Sequence, residues 1–199
     1  MKNDNMTRQT ILKAALECFT KYGYINTSMN DIVKYSGISK GGIYWHFKSK
    51  EEMFVQLIEE EYEPWLKTVH SALATTSDPL EKLKKYGELF YSQIDLPVFK
   101  MIPESYWGDV GEHYRDRLNQ CYSKDNEIIY AVFTEAIAKN QIRISDAKAL
   151  TWIYISMLEG LFAELSLEWD NKDRDELVKY FEQGIHIFIE GIRVKNDSD

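Results

Sequence analysis

The stretch from Thr27 to Lys50, TSMNDIVKYSGISKGGIYWHFKSK, restricts what this chain can fold into more than any other. It predicts two short helices joined at Gly37. Ser28 can cap the first helix, Asp31 three residues later completes a capping pattern, and Ile32 and Val33 give that helix an apolar side. Ser39 can cap a second helix, in which Ile43 and Phe47 lie four residues apart and face inward together. Gly41 and Trp45 fall on the opposite side, and Tyr44 and His46 flank the inward pair. Lys40, Lys48 and Lys50 fringe a face that carries aromatic rings and no aliphatic side chain. Two short helices around a glycine, the second showing a polar and aromatic face, describe a helix-turn-helix whose second helix enters the DNA major groove.

The run GISKGGIYWHFKSKEEMF, Gly37 to Phe54, resembles the recognition helix and following helix of the tetracycline-repressor (TetR) family. The resemblance extends back through Phe19-Thr20-Lys21-Tyr22-Gly23-Tyr24 and covers residues 7–58; beyond that, only helix lengths and chain size are similar. It implies a homodimeric, all-helical transcriptional regulator, usually a repressor released from its operator by a small molecule.

The charge distribution agrees with a nucleic-acid-binding head. Residues 1–50 hold eight Lys or Arg against three Asp or Glu, net +5, which leaves 16 against 29, net −13, over residues 51–199. A basic head on an acidic body is the arrangement expected if only the head approaches phosphate. Cys18 and Cys121 have no metal or redox spacing and read as reduced cysteines. With no apolar run long enough to span a membrane and no basic-then-apolar leader, the sequence predicts a cytoplasmic protein.

In chain order, Met1 to Met6 reads as a loose polar arm. Ile11, Leu12, Ala15, Leu16 and Phe19 then recur at helical spacing up to a cap at Gly23, and Arg8 either reaches a phosphate or is a solvated arginine. Ser49 and Glu52 form a capping box for the next helix, whose start, with Lys50, suits a DNA phosphate. Pro64 predicts a kink or break between Tyr62 and Trp65, read as the joint. The organisation expected is a DNA-binding domain over 1–48 and a ligand-binding and dimerisation domain over 49–199, all-α, with a three-helix head and a helical bundle. Asp78 and Pro79 open one body helix; Pro97 and Pro103 bracket a short segment; residues 109–140 are one helix or two. The segments from Asp146 to Trp169 and from Asp173 to Val194 are apolar on more than one side, so they imply a second burial surface. In the resembling family the last two long helices pair with their mates, which suits a palindromic site; an ordinary intramolecular core is the alternative.

Candidate DNA contacts are Thr27, Ser39, Lys40, Gly41, Tyr44, Trp45, His46 and Lys50. Lys40 can donate to guanine, Tyr44 and Trp45 can meet thymine methyls or phosphates, and His46 can donate to a phosphate. Lys50 is the best-supported phosphate ligand, with Thr27 a second; Tyr44 packing on the fourth helix and His46 capping local backbone are the competing readings. Trp65, Phe90, Phe99, Trp107, Trp152 and Phe162 are candidates to line a ligand cavity, although a place in the core is the more ordinary fate of any one of them. Glu159 lies in an otherwise apolar run and can hold a cationic ligand or sit at a surface. The expected effector is small and hydrophobic, cationic if Glu159 faces it. A body that answers to a protein partner, or to nothing, is the rival. The four histidines are scattered and no nucleophile or phosphate-loop motif is present, so no catalysis, cofactor or metal site is expected.

Overall fold

The structure, a computed structural model, describes residues 2–93, 96, 97, 101, 111–166 and 174–194. Among these residues the chain forms eight helices: α1 (Lys2–Tyr22), α2 (Met29–Ser36), α3 (Lys40–His46), α4 (Lys50–Leu73), α5 (Pro79–Ser92), α6 (Glu112–Ala138), α7 (Ala147–Ser166) and α8 (Arg174–Ile192). They belong to two compact units, residues 1–64 with 95–121 and residues 65–94 with 122–199.

In the first unit α1 buries Ile11, Leu12, Ala15, Cys18 and Phe19 and packs against α2. It starts earlier than the polar arm predicted, at Lys2, with Asp4 in the first turn, where a carboxylate complements the helix dipole. The capping box at Ser28 and Asp31 is present with both halves made, and Gly37 closes α2 at φ 68. Gly23 ends α1 at φ 79, its N–H on the Phe19 carbonyl at 2.9 Å. Ser49 accepts from the Glu52 N–H at 3.3 Å, while the Glu52 carboxylate reaches one residue further back than a capping box requires, to the Lys48 N–H at 2.6 Å. The rings of Phe19, Tyr24 and Phe54 meet beneath this start, Tyr24 and Phe54 at 4.4 Å and Phe19 and Phe54 edge-on at 5.7 Å.

Pro64 does not break α4, which runs from Lys50 to Leu73 with the proline inside. A proline in a helix costs about 3 kcal/mol. Ile58, Trp65, Leu66 and Val69 are buried on its flanking turns, and each such side chain contributes about 1.5–3 kcal/mol, which outweighs the lost hydrogen bond. Residues 112–138 form one helix, and Asn140 just beyond it takes a left-handed φ of 52.

In the second unit Asp78 caps α5 through the Leu80 N–H at 3.0 Å, with Pro79 at the first helical position. Asp146 likewise caps α7, accepting from the Ala149 N–H at 2.9 Å. Helices α5, α7 and α8 pack on one another. At their junction Tyr154 donates to the Leu83 carbonyl at 2.6 Å, and a Cβ on Gly87 would lie 2.4 Å from Ile185 and 2.8 Å from the Tyr154 hydroxyl. The Ile142–Arg193 bridge ties the α6–α7 turn to the end of α8.

Candidate functional site

The head presents α3 as the sequence predicts. Ser39 caps it through the Gly42 N–H at 3.2 Å, and Ile43 and Phe47 are buried inward. The opposite face is open: Trp45 is 82% exposed and Tyr44 47%, so Tyr44 is not consumed in packing, and Lys40 and Lys48 are exposed. The paired glycines serve different ends. A Cβ at Gly42 would meet Ile38 at 2.9 Å, whereas Gly41 has nothing within 4 Å and leaves room for a partner.

Three of the candidate contacts are engaged within the head itself. Thr27 is 1% exposed, and its hydroxyl lies 2.7 Å from the Gly23 carbonyl and 3.1 Å from that of Cys18. The His46 side chain is turned inward, its Nε2 3.6 Å from Asp4 Oδ1 of α1. Lys50 directs its ammonium at the carbonyls of Tyr24, Ile25 and Thr27. Arg8 is also engaged within the head. Its guanidinium lies 4.8 Å over the Phe47 ring, at the end of α3, donates to Gln56 and reaches Glu60 at 3.7 Å. Farther along α4, Arg117 of α6 clasps Glu59 with bonds of 2.9 and 2.5 Å.

Two groups form among the body candidates. Trp65 is buried edge-on to Tyr86 at 5.9 Å and donates its indole N–H to both oxygens of Asp125, at 3.1 and 3.2 Å. Phe90 meets Phe162 edge-on at 6.3 Å, with Phe181 at 6.4 Å from Phe90. Glu159 is half-buried and acts on Tyr86 electrostatically: burial first, then Asp125, with Glu159 a smaller contributor, pushes the Tyr86 phenol well above its usual range. Trp152 stands apart, 57% exposed on α7 beside Ile153 at 56%. Phe99 and Trp107 lie outside the described residues. Sequence reasoning missed Asp125, which is 8% exposed. Its register on the apolar stripe of Leu118, Cys121, Ile129 and Val132 was the available signal.

A groove of about 600 Å³ runs along the body, floored by Leu66, Leu73, Ile128 and Val132 and edged by Lys82, Lys124 and Glu135; it is open to solvent. Among the described candidates, Trp65, Phe90, Trp152, Glu159 and Phe162, none lines it. Among the described residues no group of His, Cys, Asp or Glu can hold a metal, and no helix is long and apolar enough to cross a membrane.

Residues 11–57 match the family described as bacterial regulatory proteins, tetR family. Over 191 residues the chain is 28% identical to the HTH-type transcriptional regulator QacR of Staphylococcus aureus, spanning 93% of this chain and 97% of that protein. The fold is shared with the transcriptional regulator FadR of Bacillus subtilis in complex with stearoyl-CoA, at 19% identity and a TM-score of 0.75 over 93% of this chain and 99% of that one. It is also shared with a Saccharomonospora viridis protein in complex with choline, at 22% identity and a TM-score of 0.78 over 96% and 100%. The chain is a DNA-binding transcriptional regulator of the TetR family.

Proposed function

We propose that this TetR-family regulator is a cytoplasmic, homodimeric repressor, released from a palindromic operator when a small hydrophobic effector enters its body. The observation that carries the sensing half is Asp125, an acid buried against Trp65 and Tyr86, with Glu159 near enough to act on the same phenol. Carboxylates among aromatic faces are the chemistry that holds an organic cation, so the reading extends to a cationic effector. Neighbours of the same fold hold choline in one case and stearoyl-CoA in another, which makes charge the property to test.

Dimerisation is supported by apolar side chains left exposed on the last two helices, Trp152 and Ile153 on α7 and Ile187, 70% exposed, on α8. A two-fold protein suits two half-sites about one DNA turn apart. DNA contacts are assigned to Ser39, Lys40, Gly41, Tyr44 and Trp45 from the open face of α3. The division of labour proposed is DNA binding by 1–48 and sensing and dimerisation by 49–199, with α4 as the moving part. An effector releases DNA to the extent that it binds one spacing of the two recognition helices better than the other.

The test is a gel shift on the DNA upstream of the protein's own gene, with choline, a lipophilic quaternary ammonium and stearoyl-CoA as competitors. Release by the ammonium compounds, weakened about tenfold by Asp125→Asn or Glu159→Gln, is the expected result. An unchanged response of both variants to the ammonium compounds, equal to their response to anionic stearoyl-CoA, removes the charge from the reading. The open groove favours a second reading, a body that answers to a protein partner; it gains if no small molecule releases the DNA.

A further inference from the structure

Arg8, near the start of α1, meets the end of α3 and one face of α4 at the same time. Its guanidinium lies 4.8 Å over the ring of Phe47, the residue that closes α3 by placing its own N–H on the Ile43 carbonyl at 2.9 Å. The same guanidinium donates to the Gln56 side-chain oxygen and stands 3.7 Å from the Glu60 carboxylate. Gln56 completes the set, donating from its amide nitrogen to Glu60 at 2.7 Å. Gln56 and Glu60 lie four residues apart and so share one face of α4. One turn earlier on α1, Asp4 lies 3.6 Å from His46, the neighbour of Phe47. The start of α1 therefore holds the end of α3 at two points, and Arg8 carries one of them on to α4.

A guanidinium suits this junction. Its flat face stacks on a ring while its edge donates to oxygens, whereas an ammonium is a point charge with no face. What the junction fixes bears on recognition. Ile43 and Phe47 are the buried anchors of α3, and Tyr44 and Trp45 of its open face lie between them in the chain. A displaced Phe47 ring turns that open face. On the other side, Glu60 is the residue whose carbonyl receives no N–H from Pro64. Arg8 thus grips α4 in the turn that lacks a backbone hydrogen bond, and the position of that turn and the seat of α3 share one side chain.

We propose that Arg8 is a positioning residue for operator recognition: it joins Phe47 at the end of α3 to Gln56 and Glu60 of α4, so that the recognition helix takes its seat from α4. The proposal rests on the reading of the head as the DNA-binding interface. Its distinctive content lies in the oxygens that Arg8 meets on α4, which no phosphate attracts. Gln56 carries no charge, so replacing it leaves every attraction to phosphate in place while removing the oxygen to which Arg8 donates.

The experiment uses the full-length protein, the duplex that wild type enriches from a randomised pool, and a random duplex of the same length. Affinities corrected for active fraction are measured across a salt series for wild type, Arg8→Lys, Gln56→Leu and the double variant. Expected is operator binding weakened about tenfold by each single variant, with no further loss in the double variant. The salt slope and the random-duplex affinity keep their wild-type values, and hydrogen exchange of the Ile43 and Phe47 amides becomes faster. Wild-type operator affinity for Gln56→Leu, or losses that multiply in the double variant, overturns the proposal. Should Arg8→Lys not fold, Gln56→Leu decides alone: weaker operator binding at unchanged random-duplex affinity supports the junction, and retained operator affinity refutes it. A wild type that enriches no duplex overturns the DNA-binding reading itself, and the proposal falls with it.

Discussion

The head and the body of this protein are built from similar helices but specified in different ways. In the head, four successive helix ends are closed by a residue within a few positions of them: Gly23, Ser28 with Asp31, Gly37, and Ser39. In the body, what matters is set by partners far along the chain, such as Trp65 with Asp125, Tyr154 with Leu83, and Gly87 with Ile185. Local hydrogen bonds make a segment legible and individually replaceable. Long-range packing makes it robust in sum and sensitive at single points.

That contrast is open to attack, beginning with the largest effect. Phe133 is fully buried, edge-on to Tyr154 and Phe188. Phe133→Ala should therefore cost about 3–5 kcal/mol of stability in chemical denaturation. A loss below 1 kcal/mol would show the body to be as tolerant as a surface. Tyr44→Ala and Trp45→Ala should do the reverse, weakening operator binding by about 1–3 kcal/mol each while the melting temperature stays at its wild-type value. A fall in melting temperature matching the lost affinity would return Tyr44 to a packing role.

Gly87→Ala comes next. The added methyl must displace Ile185 and crowd the Tyr154 hydroxyl, and overpacking of this kind costs about 1–3 kcal/mol. Binding of the folded protein to DNA should be unaltered, as a titration with corrected active fraction would show. The smallest change is Ser28→Ala, expected to cost about 1 kcal/mol and to act only on the head. Its pH dependence sharpens the point. The Ser28 hydroxyl, then the Ser28 N–H, hold the Asp31 carboxyl below its ordinary value of 3.8. A depressed carboxyl contributes stability that is in place above the ordinary value and is lost as the pH falls through the folded one. Hydrogen exchange of the α2 amides should accelerate across that acidic window in wild type and less so in Ser28→Ala.

Legibility followed the same division. The caps, the inward pair Ile43 and Phe47 and the open face of Trp45 follow from helical geometry and nearest neighbours, and they stand in the structure as the sequence predicts. The continuity of α4 through Pro64 could not be read locally, because the side chains that outweigh the proline are recognised as buried only in the folded molecule. Asp125 was hidden for a related reason: an acid on an apolar stripe reads as a break in the pattern until Trp65, 60 residues away, is seen to donate to it. Trp152 shows the reverse case, since aromatic character alone does not tell a core ring from one exposed on its helix. Lys50 shows the limit of residue type itself. A lysine at a helix start suits an anion, and nothing in the sequence signals that three carbonyls of the 24–27 loop stand at hydrogen-bond distance from it.

The uninterrupted α4 has a mechanical consequence. Residue 64 offers no N–H to the Glu60 carbonyl, so the helix lacks one backbone hydrogen bond in the turn before the proline, the place where a bend costs least. Lys50 lies 14 residues ahead of Pro64, a lever arm of about 21 Å at the helical rise. A bend of about 10° there would carry the helix start through about 4 Å. A single missing hydrogen bond thus gives this rod a gear ratio, converting a small angle near residue 64 into a displacement comparable to a base-pair step.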